Sequence, residues 1–202
     1  MVEFSVPAAG GSRAEFRFSV AGHMVLVAGS RHLEVDGRTC RDLLEGLHLA
    51  GFHFFVGCAR GVDKSFRKAL AQSPFREEGF VACAFQSRAL RERSQGLYAQ
   101  LVVPEGLAPA AALRRRTLWM VRRCSLVVLL AESPLNGVWG PGSKLVFRSA
   151  MYHLKPVFVV SRKAPPQSVH YRVAASDLFG VVRGFWVAPH LLEEGGLCDD
   201  EC

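Results

Sequence analysis

Three glycine-bearing segments hold the residues of this chain best suited to grip an anion. They are Gly-Ser-Arg at 29–31, Gly-Cys-Ala-Arg-Gly-Val-Asp at 57–63, and the stretch 137–143, which ends in Gly140, Pro141, Gly142 and Ser143. Each follows an apolar run and precedes a helix-like stretch. That order sets a helix N-terminus, with its unpaired N–H groups and positive dipole end, beside a tight turn. Gly29, Gly57, Gly61, Gly140 and Gly142 carry no Cβ, so backbone can come close to a ligand at each. Ser30 and Ser143 offer hydroxyls that cap the next helix or donate to phosphate oxygens. Arg31 and Arg60 offer forked, charge-assisted donors that match a phosphate. Two roles stay open for Asp63: it caps or braces its loop, or it takes a ribose hydroxyl or acts as a base. Trp139 either stacks on a base or anchors its loop on the core.

These segments need elements to position them, and the hydropathy pattern supplies an alternation of strand and helix. Short apolar runs predict strands at 24–28, 52–56, 80–85, 126–130 and 156–160, with one more at 181–187. Helical spacing is found over 36–50, where Leu43, Leu44, Leu47 and Ala50 recur and Gly51 makes a stop. Helices are also predicted over 62–71 and 110–123, with another running to His153. Residues 86–108 read as a charged helical piece, then an apolar step at 101–103. Alternation of this kind implies an α/β fold, Rossmann-like, with a mainly parallel sheet covered by helices on both faces in a single domain. The division expected is an N-terminal extension over 1–22 with an edge strand around Phe16, Phe18 and Val20, a nucleotide-binding domain over 23–162, and a C-terminal extension over 163–202 with an extra strand and a loose acidic tail. In such sheets ligands bind outside the carboxyl ends of the strands, where all three glycine loops fall.

Composition narrows the partner. The 202 residues carry a net charge of +7, and the pI of about 9.4 favours a nucleotide, nucleic acid or phosphate over a cationic ligand. Basic residues cluster at Arg114, Arg115 and Arg116, with Arg122 and Arg123 on the same candidate helix, where a solvated face is the plainer reading for the last two. Cys40, Cys83 and Cys124 lie in apolar or helical segments as small hydrophobes, Cys58 reads as packed rather than reactive, and Cys198 and Cys202 flank the acidic end. No cysteine or histidine spacing suits a metal, and no nucleophile-elbow, zincin or Walker pattern occurs, so no metal, cofactor or catalytic residue is assigned. With no signal-peptide pattern and no apolar run of membrane-spanning length, a cytoplasmic, reduced protein without a membrane partner is expected.

The motifs together resemble a known group. Val-Leu-Val-Ala-Gly-Ser-Arg at 25–31, Asp36–Gly37, the 57–63 segment and Gly-Ser-Lys-Leu-Val-Phe-Arg-Ser-Ala-Met-Tyr-His-Leu-Lys-Pro-Val-Phe-Val-Val at 142–160 resemble the SLOG superfamily. That superfamily includes the Rossmann-like core of the DNA-processing protein A family and the LOG-type nucleotide phosphoribohydrolases. The likeness covers roughly 24–160 and is strongest to the DNA-processing branch, with 57–63 its most specific part. The family's arginine-bearing helix matches Arg116 best, with Arg114 and Arg115 as alternatives. The glutamate that serves catalysis in LOG-type enzymes falls at Val146 here. No Gly-x-Asp-x-x-Tyr-Pro region follows the third strand, and no winged-helix extension is evident.

The resemblance implies a protein that binds a nucleotide or nucleotide-derived ligand as a sensor or binding module, its phosphate held by the glycine loops. Two other readings stand beside it: a single-stranded DNA-binding factor of the DNA-processing type, and an enzyme acting on an N-glycosidic or phosphate bond. A scaffold that binds protein through the basic helix, and a homo-oligomer, also remain open.

Overall fold

The computed structural model describes residues 2–7, 15–20, 22–132 and 138–190. Its first elements are a hairpin, β1 (Val2–Pro7) and β2 (Glu15–Val20), paired antiparallel with Val2 opposite Val20. The strand expected near Phe16 therefore forms, but it pairs with β1 in a two-stranded sheet rather than joining the edge of the main one.

β3 (Met24–Gly29) begins the main unit, followed by α1 (Gly37–Leu49), β4 (His53–Gly57) and α2 (Val62–Ala71). Next come β5 (Gly79–Cys83), α3 (Gln86–Ser94), β6 (Tyr98–Leu101), α4 (Pro109–Arg123) and β7 (Leu126–Leu130). α5 (Pro141–Tyr152), β8 (Val157–Val160), β9 (Tyr171–Leu178) and β10 (Val182–Pro189) complete the described chain. Eight strands lie in the order β6-β5-β4-β3-β7-β8-β10-β9. The first six in that order run parallel, and β10 then pairs antiparallel with both β8 and β9.

Burial follows from strand periodicity. Successive side chains alternate faces, so a strand covered on both sides must be apolar throughout. β7 meets that demand with Leu-Val-Val-Leu-Leu, all buried. Leu126, Val128 and Leu130 pack with Leu43, Leu44 and Leu47 of α1 and Val62, Phe66 and Leu70 of α2. Val127 and Leu129 face the other way, toward Met120 and Val121 of α4 and Val146, Phe147 and Ala150 of α5. α1 starts where Asp36 caps it, its carboxylate accepting the Thr39 N–H at 2.9 Å. That bond from Thr39 holds the Asp36 pKa below the usual carboxylate value.

Two regions differ from the sequence expectation. In 86–108 the strand lies at 98–101 rather than 101–103, because Gly96, at φ +79°, ends α3 early. Leu97 and Ala99 then turn inward while Tyr98 faces solvent. The C-terminal extension contributes two strands where one was expected. β9, Tyr-Arg-Val-Ala-Ala-Ser-Asp-Leu, is too polar and too weakly alternating to stand out, and it is ordered by full-length pairing with β10. The acidic tail, with Cys198 and Cys202, lies outside the described residues.

β10 closes the open edge of β8. Trp186 stands opposite Phe158, and their rings meet edge to face with centroids 5.0 Å apart. Trp186→Ala should cost about 3–5 kcal/mol through the cavity it leaves. Urea unfolding monitored by circular dichroism measures this, and a loss under about 1 kcal/mol would show that the pair does not anchor the extension.

Candidate phosphate-binding crevice

From β3 the chain moves through α1 to β4 on one side, and returns through α4 to β7 on the other. The strand order thus reverses between β3 and β7, and in such sheets the place outside their carboxyl ends is where a binding crevice is expected. Ser30 closes the floor of that crevice. Its N–H donates to Leu130 O of β7 at 3.0 Å, its carbonyl accepts the Val62 N–H at 3.2 Å, and its Oγ accepts the His32 N–H at 3.2 Å. One residue therefore ties β3 to β7, to the start of α2 and to its own loop.

The glycines fall into two groups by what occupies the space of a Cβ. At Gly29 that space is taken by Leu130 O and Val62, and at Gly61 by Ser30 O and the Arg31 backbone. Gly61 also sits at φ +64°, which a side chain would strain. At Gly57 the space holds the Arg116 guanidinium and the Asp63 carboxylate. These three glycines make room for protein. At Gly140 and Gly142 none of the described residues lies within 4 Å of the place a Cβ would take, so among them the backbone at the start of α5 is uncovered.

Asp63 and Arg116 form the centre of the second loop. Arg116 Nη1 donates to Asp63 Oδ2 at 3.1 Å, and the two side chains are only 6% and 8% exposed. The same carboxylate oxygen accepts the Ala59 N–H at 3.0 Å. Of the two roles left open for Asp63, the geometry is that of a brace. Arg116 Nε is buried without a hydrogen-bond partner among the described residues. Behind the loop, Arg67 Nη1 donates to Gly57 O at 2.6 Å and Ala59 O at 3.0 Å, and Arg88 Nη1 donates to Cys58 O at 2.8 Å. Three carbonyls that would repel an anion are thereby turned onto guanidinium groups. Glu92 balances this charge: its Oε2 lies 3.0 Å from Arg67 Nε, off the N–H axis, and its Oε1 accepts from Arg91 Nη2 at 2.8 Å.

Arg67, Arg88 and Glu92 were not singled out from sequence. Arg67 stands one helical turn after Asp63 on α2, and that i,i+4 spacing was the available signal. Arg31 and Arg60 are exposed and make no hydrogen bond or ion pair among the described residues. Arg114, Arg115, Arg122 and Arg123 are exposed on α4, with Arg123 stacked 4.3 Å over Trp119. Trp139 is half-buried, edge-on to Phe147 at 5.3 Å, and so anchors its loop. Val146, where LOG-type enzymes have their glutamate, is buried in the core under α5. Residues 133–137 of the third loop, Gly137 among them, lie outside the described residues.

Ser143 is the informative member of the third loop. It is 2% exposed in the first turn of α5, and its Oγ has no hydrogen-bond partner among the described residues. A buried hydroxyl without a partner is costly, by about 1–3 kcal/mol. Here it lies at a helix N-terminus with no side-chain cap, next to the two open glycines. The arrangement suits an anion at the head of α5.

Removing either member of the buried ion pair should strand the other charge. Asp63→Asn and Arg116→Met are each expected to lose about 3–5 kcal/mol, and the double variant much less than their sum. Unfolding curves of all four proteins give the coupling; additive losses would show the two groups to be independent.

Comparison with known proteins is limited to the fold. No family model matches the chain, and no curated protein matches it. Among solved structures it is similar to DNA processing protein A from Streptococcus pneumoniae, with a TM-score of 0.51 and 20% identity over 73% of this chain and 51% of that one. A second similar structure is DNA processing protein A from Helicobacter pylori, described for its single-stranded DNA binding mode. It is 14% identical with a TM-score of 0.48, covering 83% of this chain and 82% of that one. The chain thus spans about half the length of the first structure. Its α/β fold, with a mostly parallel sheet between layers of helices, is of the Rossmann-like kind found in DNA processing protein A.

Proposed function

We propose that the chain binds single-stranded DNA through its phosphates, one of which sits at the head of α5. The unpartnered, buried Ser143 hydroxyl beside open Gly140 and Gly142 carries this reading. A phosphate oxygen there would accept from Ser143 and from the free N–H groups of the helix start. Arg31 and Arg60, exposed and unpaired among the described residues, are placed on the neighbouring loops to grip the flanking charge. In this role Gly29, Gly57, Gly61, Asp63, Arg116 and Ser30 shape the floor rather than touch the strand.

Two facts favour a strand over a lone nucleotide. The net charge of +7 includes the exposed arginines of α4, which extend positive charge beyond the span of one phosphate. The fold is that of a protein named for DNA processing. The second reading is a free nucleotide or nucleotide-derived ligand in a SLOG-type pocket, favoured because Ser143 and one helix terminus suffice for a single phosphate. Base hydrolysis has less support, since Val146 is core and Asp63 is engaged as a brace.

Fluorescence anisotropy with a labelled oligothymidylate should show binding that weakens with salt, the log–log slope rising by about 0.7 for each phosphate neutralised. Arg60→Ala should reduce both affinity and that slope. Ser143→Ala should leave the melting temperature unchanged or raised, because it removes an unpartnered polar atom, yet weaken binding by roughly tenfold. Thermal shifts with nucleoside monophosphates, without oligonucleotide binding, would favour the second reading. No response to either ligand would overturn both.

A further inference from the structure

Two thiols stand together at the carboxyl ends of β4 and β5. Gly57 pairs with Ala82 in the parallel ladder, which sets the next residues, Cys58 and Cys83, opposite each other. Neighbouring strands lie about 4.8 Å apart, within the roughly 4.4–6.8 Å between Cα atoms that a disulfide spans. Both cysteines are free, both are buried, and both face the same side of the sheet. Cys58 lies past the last residue of β4, in the loop, where a small approach toward Cys83 is least opposed by ladder bonds.

Donors converge on one sulfur only. Ala84 N–H reaches Cys58 Sγ at 3.4 Å, and Arg88 Nη1 lies 3.8 Å from it. The neighbouring Cys83 thiol, with the charge of Arg116 and the Ala84 amide, draws the Cys58 pKa below the usual thiol value against the opposing effect of burial. Cys83, buried beside Cys58, is pushed the other way. The two thiols therefore differ, with the hydrogen-bond donors gathered on the Cys58 sulfur. Cys40 and Cys124 differ: burial pushes each up to about 12, and among the described residues no cysteine acts on either.

We propose that Cys58 and Cys83 are a peroxide-reactive dithiol, Cys58 the attacking sulfur and Cys83 the resolving one. The Cys58 thiolate attacks one oxygen of hydrogen peroxide, forming an S–O bond as the O–O bond breaks and hydroxide leaves. Sulfur loses two electrons and peroxide gains them; the hydroxide takes up the proton that Cys58 had released, giving water. Cys83 sulfur then attacks the sulfenic sulfur, forming S–S and breaking S–O. Its thiol proton departs with that hydroxyl as a second water. Two thiols and one peroxide yield one disulfide and two waters. Hydrogen peroxide is uncharged and close to water in size, so it suits a sulfur with 2% exposure.

The test is peptide mapping of the full chain after graded hydrogen peroxide, with remaining thiols blocked by N-ethylmaleimide in denaturant. Trypsin places Cys58 in residues 42–60 and Cys83 in residues 77–88, apart from every other cysteine. These two peptides are expected to appear joined, two hydrogens lighter, at peroxide levels that leave Cys40 and Cys124 labelled. In Cys83→Ser, dimedone should tag Cys58, and in Cys58→Ser, Cys83 should stay maleimide-reactive. Full maleimide labelling of both cysteines after peroxide, or cross-links that join other partners instead, would overturn the proposal. The mapping on the unaltered chain decides it even if a variant fails to fold.

Discussion

The contact on which this structure turns is the buried ion pair of Asp63 and Arg116, laid over the Cα of Gly57. A charge pair 6% and 8% exposed is held by close contact, with a third donor, Ala59 N–H, sharing the carboxylate. Its consequences spread to three elements. α4 is fixed over the end of β4 by Arg116, α2 by Asp63, and the loop between β4 and α2 by the lack of a Cβ at Gly57. Behind it, Arg67 and Arg88 hold the loop's carbonyls, and Glu92 sets the balance of charge. What looks like a ligand loop is a charge network built from the protein's own side chains, with Arg67 Nε and Arg116 Nε left without a hydrogen bond among the described residues.

The crevice gains its character from the contrast between its two sides. At β3 and β4 the glycines admit backbone, guanidinium and carboxylate, so this side is closed and rigid. At the start of α5, among the described residues, nothing fills the space beside the glycines and the Ser143 hydroxyl has no partner. A satisfied floor beside an unsatisfied rim is the contrast on which the proposed anion site rests. The thiol pair at Cys58 and Cys83 lies on the closed side, where its neighbours are the same arginines that hold the loop.

Much of this could be read from residue order. Central strands such as 126–130 are apolar at every position because both faces are covered, and that leaves a signature no surface strand imitates. Helix 62–71 was legible to the residue because its apolar spacing and its glycine start agree. β9 was not, since a polar strand at a sheet edge is ordered by its partner and not by its own pattern. The strand after α3 was displaced by three residues for a related reason: a positive-φ glycine, Gly96, sets where the helix stops, and a glycine's φ is not written in its one-letter code.

By itself the sequence determined the α/β alternation, the positions of the three glycine loops and the basic balance that favours a polyanion. These depend on local periodicity and on composition, which folding does not alter. Only the tertiary structure decided what each loop residue faces. Gly57 and Gly142 are the same residue type in similar settings, yet one covers an ion pair and the other opens to solvent. Ser30 is fully engaged while Ser143 is left without a partner. The reason is physical: whether a polar group is satisfied depends on atoms brought from distant parts of the chain, such as Arg116 from α4 and Leu130 from β7.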